Sequence, residues 1–165
     1  MTVAVIIIVI AVMLVMFMSF VKVPAGTAYV VERLGSFCTV FGEGIHFRMP
    51  FLDKIAAKVA LTEQDLVLDR ERAVSADNAE MRYTVAVRFR VTDPQQFHYG
   101  ITNAGTALAK LIRTAANAVI GSLPSQEASE SLEALGKKVE RAVESGAGLW
   151  GILIEDISFS ELYQI

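Results

Sequence analysis

The chain has 165 residues, 53% of them hydrophobic, and its 15 basic and 18 acidic side chains leave a formal net charge of −3. This balance excludes a strongly basic nucleic-acid-binding protein, because binding to a phosphate backbone requires a clear surplus of Lys and Arg. A single cysteine excludes an intrachain disulfide framework, and the length suffices for one domain with a modest core.

The first element is an uncharged apolar segment over residues 3–21, in which Ser19 is the only polar side chain. A helix of this length measures roughly 30 Å, the thickness of a bilayer's hydrocarbon core. We therefore predict a transmembrane anchor over residues 1–22, followed by a domain over residues 23–165. The side chains expected to face lipid include Val3, Ile8, Leu14, Phe17 and Phe20.

Two other interpretations of this segment are weaker. A cleaved signal peptide would need a basic N-terminal region and a small-residue cleavage site, and the sequence has neither. A buried core helix would need protein on every side, which a domain of this size can hardly supply. Because Lys22 and Arg33 follow the segment, the positive-inside rule places the N-terminus outside and the domain in the cytoplasm.

Strands are predicted directly after the anchor, where β-forming residues alternate with turn signals. They cover residues 27–33, 37–41, 45–49, 54–62 and 64–68. The clearest strand is Glu80–Val91, which alternates with a period of two over its whole length. The side chains on its predicted buried face are Met81, Tyr83, Val85, Val87, Phe89 and Val91.

Helices are predicted after this long strand. Asp93 precedes Pro94, which places a capping side chain before a proline at the first helical position and predicts a short helix ending near Gly100. Apolar residues at helical spacing predict two longer helices, over residues 103–121 and 125–145. A closing strand is predicted over residues 150–157.

A glycine pattern near the end of the chain was tested for cofactor binding. Residues 146–151 match G-x-G-x-x-G, but a dinucleotide site needs a strand before the glycines and a helix after them. Here a helix precedes and a strand follows. The pattern therefore indicates the C-terminal end of a helix, and no cofactor is expected.

Metal ligation and nucleophilic catalysis are not indicated. Cys38, His46 and His98 are scattered and have no ligand spacing, so no metal is expected. Cys38 is predicted to pack as a small hydrophobic residue, with palmitoylation as the alternative. No catalytic residue or enzyme motif is identified.

Acidic residues between positions 65 and 80 lie close to Arg70 and Arg72 and are predicted to form solvated ion pairs in polar turns. These carboxylates are Asp65, Asp69, Glu71, Asp77 and Glu80. A catalytic carboxylate dyad is the weaker interpretation, so we expect a protein that is not an enzyme.

Three arginines alternate along the polar face of the long strand: Arg82, Arg88 and Arg90. One interpretation is a solvated strand face. The other is a surface that contacts acidic residues of an adjacent subunit or anionic lipid headgroups.

Several segments, in order along the chain, resemble the stomatin/prohibitin/flotillin superfamily, also called the SPFH or band-7 family. After the anchor, residues 23–35 resemble its opening, and residues 44–53 resemble its G-h-H-F-x-x-P-h-h-D segment. Residues 84–94 resemble its long strand and D-P helix start, and Trp150-Gly-Ile152 resembles its late W-G-I. The similarity covers essentially the whole chain. Within the family, the sequence resembles a stomatin-like member of bacterial type.

This resemblance implies an α+β fold, a mostly antiparallel sheet with packed helices, behind a single-pass transmembrane helix. It implies a homo-oligomeric scaffold, with the lipid bilayer as partner, that organises a membrane patch or neighbouring membrane proteins. The alternative is a regulatory module that modulates a membrane protease or channel.

The sequence departs from the family at four places. Glu43 stands where the family usually has a proline, a Thr-Leu-Arg pattern is replaced at residues 113–116, and residues 125–133 have no counterpart. The long C-terminal helix that drives assembly in relatives does not follow residue 165. We therefore expect either a divergent or truncated member, or weaker assembly than in those relatives.

Overall fold

In a computed structural model, the described part of the chain comprises residues 6–7, 9–10, 13–14, 16–17 and 19–164. The chain divides into two compact units, Met1–Leu61 and Thr62–Ile165. Strands dominate the first unit, and the second combines strands with helices, so the fold is α+β. The predicted boundary at residue 22 lies inside the first unit and stays a prediction.

The strands of the first unit are β1 (Phe20–Val23), β2 (Thr27–Arg33), β3 (Ser36–Phe41), β4 (Gly44–Phe47) and β5 (Asp53–Ala60). Four of them, β2 to β5, correspond to predicted strands, and β1 was not predicted. An antiparallel sheet has the order β3-β2-β5, and β1 pairs antiparallel with β4. In the central strand, four consecutive residues from Ala28 to Val31 are buried, so both faces of β2 are covered.

The helix formed by the N-terminal apolar segment ends earlier than predicted. Its described residues up to Phe17 are helical and exposed, but Ser19 forms a turn and Phe20 begins β1. The assignment of Phe20 and Val21 to a helix is therefore wrong, because apolar character alone does not distinguish a helix from a strand that finds a partner. Among the described residues, no helix combines the length and apolar composition needed to cross a membrane.

The structure describes three of the five side chains that were expected to face lipid. Leu14 and Phe17 lie in the helical part and are exposed, and Phe20 is an exposed strand residue. Val3 and Ile8 lie outside the described residues. The transmembrane anchor stays a prediction.

The second unit is built on a sheet with the order β6-β7-β8, in which all pairs are antiparallel. Its strands are β6 (Gln64–Val74), β7 (Glu80–Val91) and β8 (Ile152–Gln164). Its helices are α1 (Pro94–Tyr99), α2 (Ala104–Gly121), α3 (Ser125–Glu130) and α4 (Leu132–Gly148). The core lies between one face of this sheet and the buried sides of α2 and α4.

The register predicted for β7 is confirmed. Its six apolar residues at odd positions from Met81 to Val91 are buried, whereas Arg88 and Arg90 are exposed and Arg82 is half-buried. The predicted cap at Asp93 is also confirmed, since its side chain accepts hydrogen bonds from the backbone of α1. Asn103, where the second helix was predicted to begin, caps α2 by accepting a hydrogen bond from the Thr106 backbone.

Two boundaries in the second unit differ from prediction. β6 continues to Val74, with a bulge between Leu68 and Glu71, so the acidic residues near position 70 lie in a strand rather than in turns. The predicted helix over residues 125–145 is interrupted at Ser131, whose backbone leaves the helical region (φ −140°). The Ser131 side chain caps α4 there, and local capping by serine competes with helix continuation. β8 extends the closing strand to Gln164.

Candidate functional site

An exposed apolar surface lies at one end of the first unit. It consists of Phe20, Leu34, Phe47, Met49, Phe51 and Leu52, which we call the apolar end. Phe51 is 91% exposed and Leu34 is 80% exposed, far more than is usual for side chains of this size. Several large apolar side chains exposed in one region indicate a binding surface or a membrane contact.

The apolar end lies next to the point where the N-terminal apolar segment stops. The Arg48 backbone N–H donates to the Ser19 carbonyl at 2.8 Å, and the Ser19 N–H donates to the Met16 carbonyl at 3.1 Å. The rings of Phe20 and Phe47 meet edge to face, with centroids 6.0 Å apart. The turn after β4 is therefore tied to the last residues of the apolar segment.

A buried carboxylate holds that turn in shape. The Asp53 side chain is only 3% exposed, and it accepts hydrogen bonds from Arg33 Nε at 2.7 Å and Nη2 at 3.1 Å. It also accepts one from the Met49 backbone N–H at 2.8 Å. The hydrogen bond from Arg33 lowers the pKa of Asp53, against the opposing effect of burial. This contact joins two segments that the sequence analysis considered separately, residues 23–35 and 44–53.

Two turns within the apolar end present bulky side chains from an unusual backbone conformation. Leu34 has φ 53° and Phe51 has φ 78°, both in the left-handed region that favours glycine. The Leu34 N–H donates to the Leu52 carbonyl at 3.3 Å, so the two turns are neighbours. The backbone is thus held in a costly conformation at the positions that expose the most apolar surface.

Charge is divided unequally between the two units. Residues 1–61 contain five basic and three acidic side chains, a net +2, whereas residues 62–165 contain ten and fifteen, a net −5. Arg48 and Lys54 flank the turn that carries Phe51. Nε of Arg48 is buried and has no hydrogen-bond partner within the described part of the chain. The apolar end therefore lies in the basic unit.

The three arginines of β7 have different surroundings. Arg88 Nε lies 3.2 Å from Asp65 Oδ1, and Arg90 Nε lies 2.9 Å from Glu155 Oε1. Arg82 lies opposite Arg72 in the ladder, and its buried Nε has no partner among the described residues. Two of the three charges are thus paired within the chain. Their role in subunit or lipid contact stays a prediction.

The other predicted acidic ion pairs are present in part. Asp65 and Asp69 pair with arginines, but Glu71 forms a bidentate contact with Arg113 of α2 rather than with Arg70 or Arg72. Asp77 accepts from the Ser125 hydroxyl at 2.6 Å. The contact with Arg113 ties α2 to the sheet, and sequence reasoning missed it because the partners are 42 residues apart.

Beside this pair, the Tyr83 hydroxyl donates to Asn117 Oδ1 at 3.0 Å. Burial raises the pKa of Tyr83 to about 12, so its hydroxyl stays protonated at neutral pH. Both contacts connect α2 to the sheet and serve the stability of the second unit.

Cys38 is exposed on β3, so the prediction that it packs as a small hydrophobic residue is wrong. Ser36, Phe37 and Cys38 are all exposed, so the start of β3 is uncovered on both faces. His46 stacks on Phe41, and its Nε2 lies 2.8 Å from the Gly42 carbonyl. Within the described residues, no group of three or more His, Cys, Asp or Glu could hold a metal ion.

The glycine pattern has the structural role that was predicted. Gly146 and Gly148 lie in the last turn of α4, and a strand follows. Gly151 has φ 66°, and a Cβ there would lie 2.5 Å from the Asp93 carbonyl. The backbone N–H groups of Thr92 and Asp93 both donate to the Gly151 carbonyl. The T-D-P and W-G-I segments therefore form one junction.

Comparison with known proteins gives a consistent result. A sequence model of the SPFH domain / Band 7 family matches residues 21–163. An uncharacterized protein of Schizosaccharomyces pombe, C16G5.07c, is 32% identical over 130 residues, which are 79% of this chain and 37% of that protein. Stomatin-like protein stl-1 of Caenorhabditis elegans is 28% identical, over 79% of this chain and 40% of its own length.

Human mitochondrial stomatin-like protein 2 is also 28% identical, over 79% of this chain and 36% of its own length. The match with these three relatives thus spans about two fifths of their length.

Proposed function

Because this chain belongs to the SPFH domain / Band 7 family, we propose that it is a membrane-anchored oligomeric scaffold. It organises a patch of membrane or the membrane proteins around it. The proposal rests on one observation, that the apolar N-terminal segment and the exposed apolar side chains of the domain are neighbours. The uncharged segment over residues 3–21 leads directly into the family domain, and the apolar end of that domain lies beside Ser19.

The mechanism is geometric rather than catalytic. Copies joined side by side share many membrane anchors, and the resulting avidity holds the assembly on one patch of bilayer. Neighbouring proteins are then confined by the assembly rather than modified by it. We propose the N-terminus outside and the domain in the cytoplasm, because the first unit carries the surplus of basic side chains.

The anchor is tested by placing two charges inside it. The variant Ile8→Arg/Val12→Arg adds two buried charges, at about 2.5–3.5 kcal/mol each on insertion scales. It should leave the membrane fraction on carbonate extraction, whereas the matched control Ile8→Leu/Val12→Leu should remain. If the arginine variant is retained as well as the control, residues 3–21 are not a membrane anchor.

The scaffold is tested by crosslinking the full chain in intact membranes, with light scattering in detergent as the comparison. We expect crosslinked oligomers in membranes, because confinement in two dimensions raises the effective concentration of each copy. A strict monomer in both settings would remove the scaffold and leave the regulatory module for a membrane protease or channel as the better hypothesis.

A further inference from the structure

We propose that Arg72 and Arg82 form a binding site for a phosphate monoester on the outer face of the second unit's sheet, the face opposite α2 and α4. The ligand is recognised by its phosphate group, which belongs either to a small soluble molecule or to a lipid headgroup. The proposal goes beyond the scaffold, because it gives the second unit a ligand of its own and does not require residues 3–21 to span a bilayer.

The register of the sheet places the two arginines directly opposite each other. Arg72 of β6 is the ladder partner of Arg82 of β7, and Tyr163 of β8 is the partner of Arg82 on the other side. The Cβ atoms of directly opposite residues lie about 4.5–5.5 Å apart. The two guanidinium groups and the tyrosine hydroxyl therefore form one row of side chains that can donate hydrogen bonds to a common ligand.

The charges of this row are not neutralised within the described part of the chain. The Nε atom of Arg82 is buried without a hydrogen-bond partner there, and neither Arg82 nor Arg72 has an ion pair among the described residues. Like charges directly opposite each other destabilise a sheet, and a buried N–H without an acceptor adds to this cost. An anion that supplies acceptors to both arginines would remove both unfavourable features.

A shortage of carboxylates does not explain the unpaired row. The second unit has a net charge of −5. On the same face of β7, Arg88 lies 3.2 Å from Asp65, and Arg90 lies 2.9 Å from Glu155. Two arginines of this face are thus neutralised within the chain, whereas Arg82 is left open to a ligand.

A phosphate monoester fits the row better than a carboxylate does. It carries nearly two negative charges at neutral pH and three strong acceptor oxygens, and guanidinium groups bind such oxygens with pairs of parallel hydrogen bonds. One phosphate therefore balances both arginines, whereas one carboxylate balances only one.

The surroundings of Arg72 leave room for the group that carries the phosphate. Arg72 lines a groove of about 450 Å³ together with Ala73, Val74, Glu80 and Asn117. The Asn117 amide oxygen already accepts from Tyr83, so its amide nitrogen is the group that remains to donate. The carboxylate of Glu80 disfavours a second anionic group in the groove, so a monoester suits the site better than a polyphosphate.

The experiment measures the binding of radiolabelled inorganic phosphate to the full chain in a neutral detergent, by equilibrium dialysis in chloride buffer of constant ionic strength. Arg82→Gln and Arg72→Gln each remove one charge from the row. Arg88→Gln is the matched control, because it removes the same charge from the same face of β7 and leaves the row intact. We expect Kd to rise about tenfold or more in the two site variants, as for the loss of a charge-assisted hydrogen bond, and to stay unchanged in the control.

Two results of this measurement would overturn the proposal. Equal weakening in all three variants would attribute binding to the general charge of the surface, and a wild-type chain that retains no phosphate would show that there is no site. Far-UV circular dichroism checks that each variant is folded. If Arg82→Gln fails to fold, Arg72→Gln carries the test, because Arg72 is exposed.

Thermal unfolding gives a second readout. In chloride alone, Arg82→Gln should be at least as stable as the wild type, because the variant removes a like-charge contact. Phosphate should raise the Tm of the wild type and leave that of Arg82→Gln unchanged, since a ligand stabilises only the protein that binds it. An equal rise in both proteins would contradict a site at Arg82.

Competition identifies the molecule that carries the phosphate. Glycerol 3-phosphate and a short-chain phosphatidic acid present the same monoester, one on a soluble molecule and the other on a lipid. Stronger displacement of labelled phosphate by glycerol 3-phosphate would support a soluble ligand, and stronger displacement by phosphatidic acid would support a headgroup. If neither displaces the label, the monoester site is wrong. All these measurements are made in detergent, so their outcome is independent of whether residues 3–21 form an anchor.

Discussion

At the scale of single residues, the most informative side chains are those that work against local stability. Phe51 and Leu34 adopt backbone conformations that suit glycine, and Asp53 buries a charge in order to hold the turn beside them. The left-handed backbone at Phe51 and Leu34 lowers local stability, whereas the contacts of Asp53 with Arg33 and Met49 offset this by holding the turn.

Backbone strain at position 51 should appear as a difference in stability between a glycine and an alanine variant. Phe51→Gly and Phe51→Ala both remove the ring, but only glycine adopts φ 78° without strain. We expect the glycine variant to be more stable than the alanine variant by about 1 kcal/mol in denaturant unfolding. Equal stability of the two variants would show that the left-handed conformation is not retained in solution.

Asp53 should give the protein an acid-sensitive component of stability. Its pKa is lowered in the folded state from an ordinary value of 3.8. Its contribution is therefore fully present above that ordinary value and is lost as the pH falls through the lower folded pKa. Thermal unfolding between about pH 6 and pH 2 should show a steeper loss of stability for the wild type than for Asp53→Asn. Parallel curves would contradict this assignment.

At the scale of elements, close packing decides which substitutions the second unit tolerates. α4 crosses β8 so closely at Gly136 that an added Cβ would lie 2.3 Å from the Ile157 carbonyl oxygen. Helix propensity alone would favour alanine at this position, so packing and propensity oppose each other here.

Gly136→Ala should therefore destabilise the protein, by about 1–3 kcal/mol, as expected for overpacking. Gly105→Ala is the matched control. It lies in α2, and the nearest atom to its added Cβ is 4.0 Å away. That control should have unchanged or higher stability in thermal unfolding. A loss at Gly105 equal to that at Gly136 would attribute the effect to something other than packing against β8.

The register of β7 makes a second prediction at this scale. Phe89 is 9% exposed and faces the core, so Phe89→Ala should cost about 3–5 kcal/mol. Arg88 is exposed and pairs with Asp65, so Arg88→Ala should cost about 0–1 kcal/mol. The reverse order of these losses in chemical denaturation would contradict the register.

At the scale of the whole molecule, the two units differ in what stabilises them. The second unit packs α2 and α4 on a sheet of long strands. The first unit includes a ladder of only two short strands, β1 and β4, with one face exposed. A two-stranded ladder is marginally stable on its own, so this part of the molecule gains most from a partner.

Hydrogen exchange should report this gradient. In detergent, the amides of β7 should exchange most slowly and those of β1 and β4 fastest, because exposed ladders open locally at low free energy. Mass-spectrometric exchange measures both rates. Slower exchange in β1 and β4 than in β7 would contradict this gradient.

The sequence by itself determined the features that depend on local patterns. Alternation over residues 80–91 fixed the buried face of β7, because a strand places successive side chains on opposite faces. Asp93 was identified as a cap from its position before Pro94. The family followed from motifs spread along the chain, and the match over residues 21–163 confirms it.

Only the tertiary structure decided features that depend on distant partners. Phe20 is a strand residue because Phe47 pairs with it. Glu71 lies in β6 and links that strand to Arg113 of α2. Cys38 is exposed because the start of β3 is uncovered on both faces. The apolar end exists because Asp53 joins two turns that lie far apart in the sequence. Local patterns encode propensity and periodicity, whereas exposure and pairing depend on what the rest of the chain brings nearby.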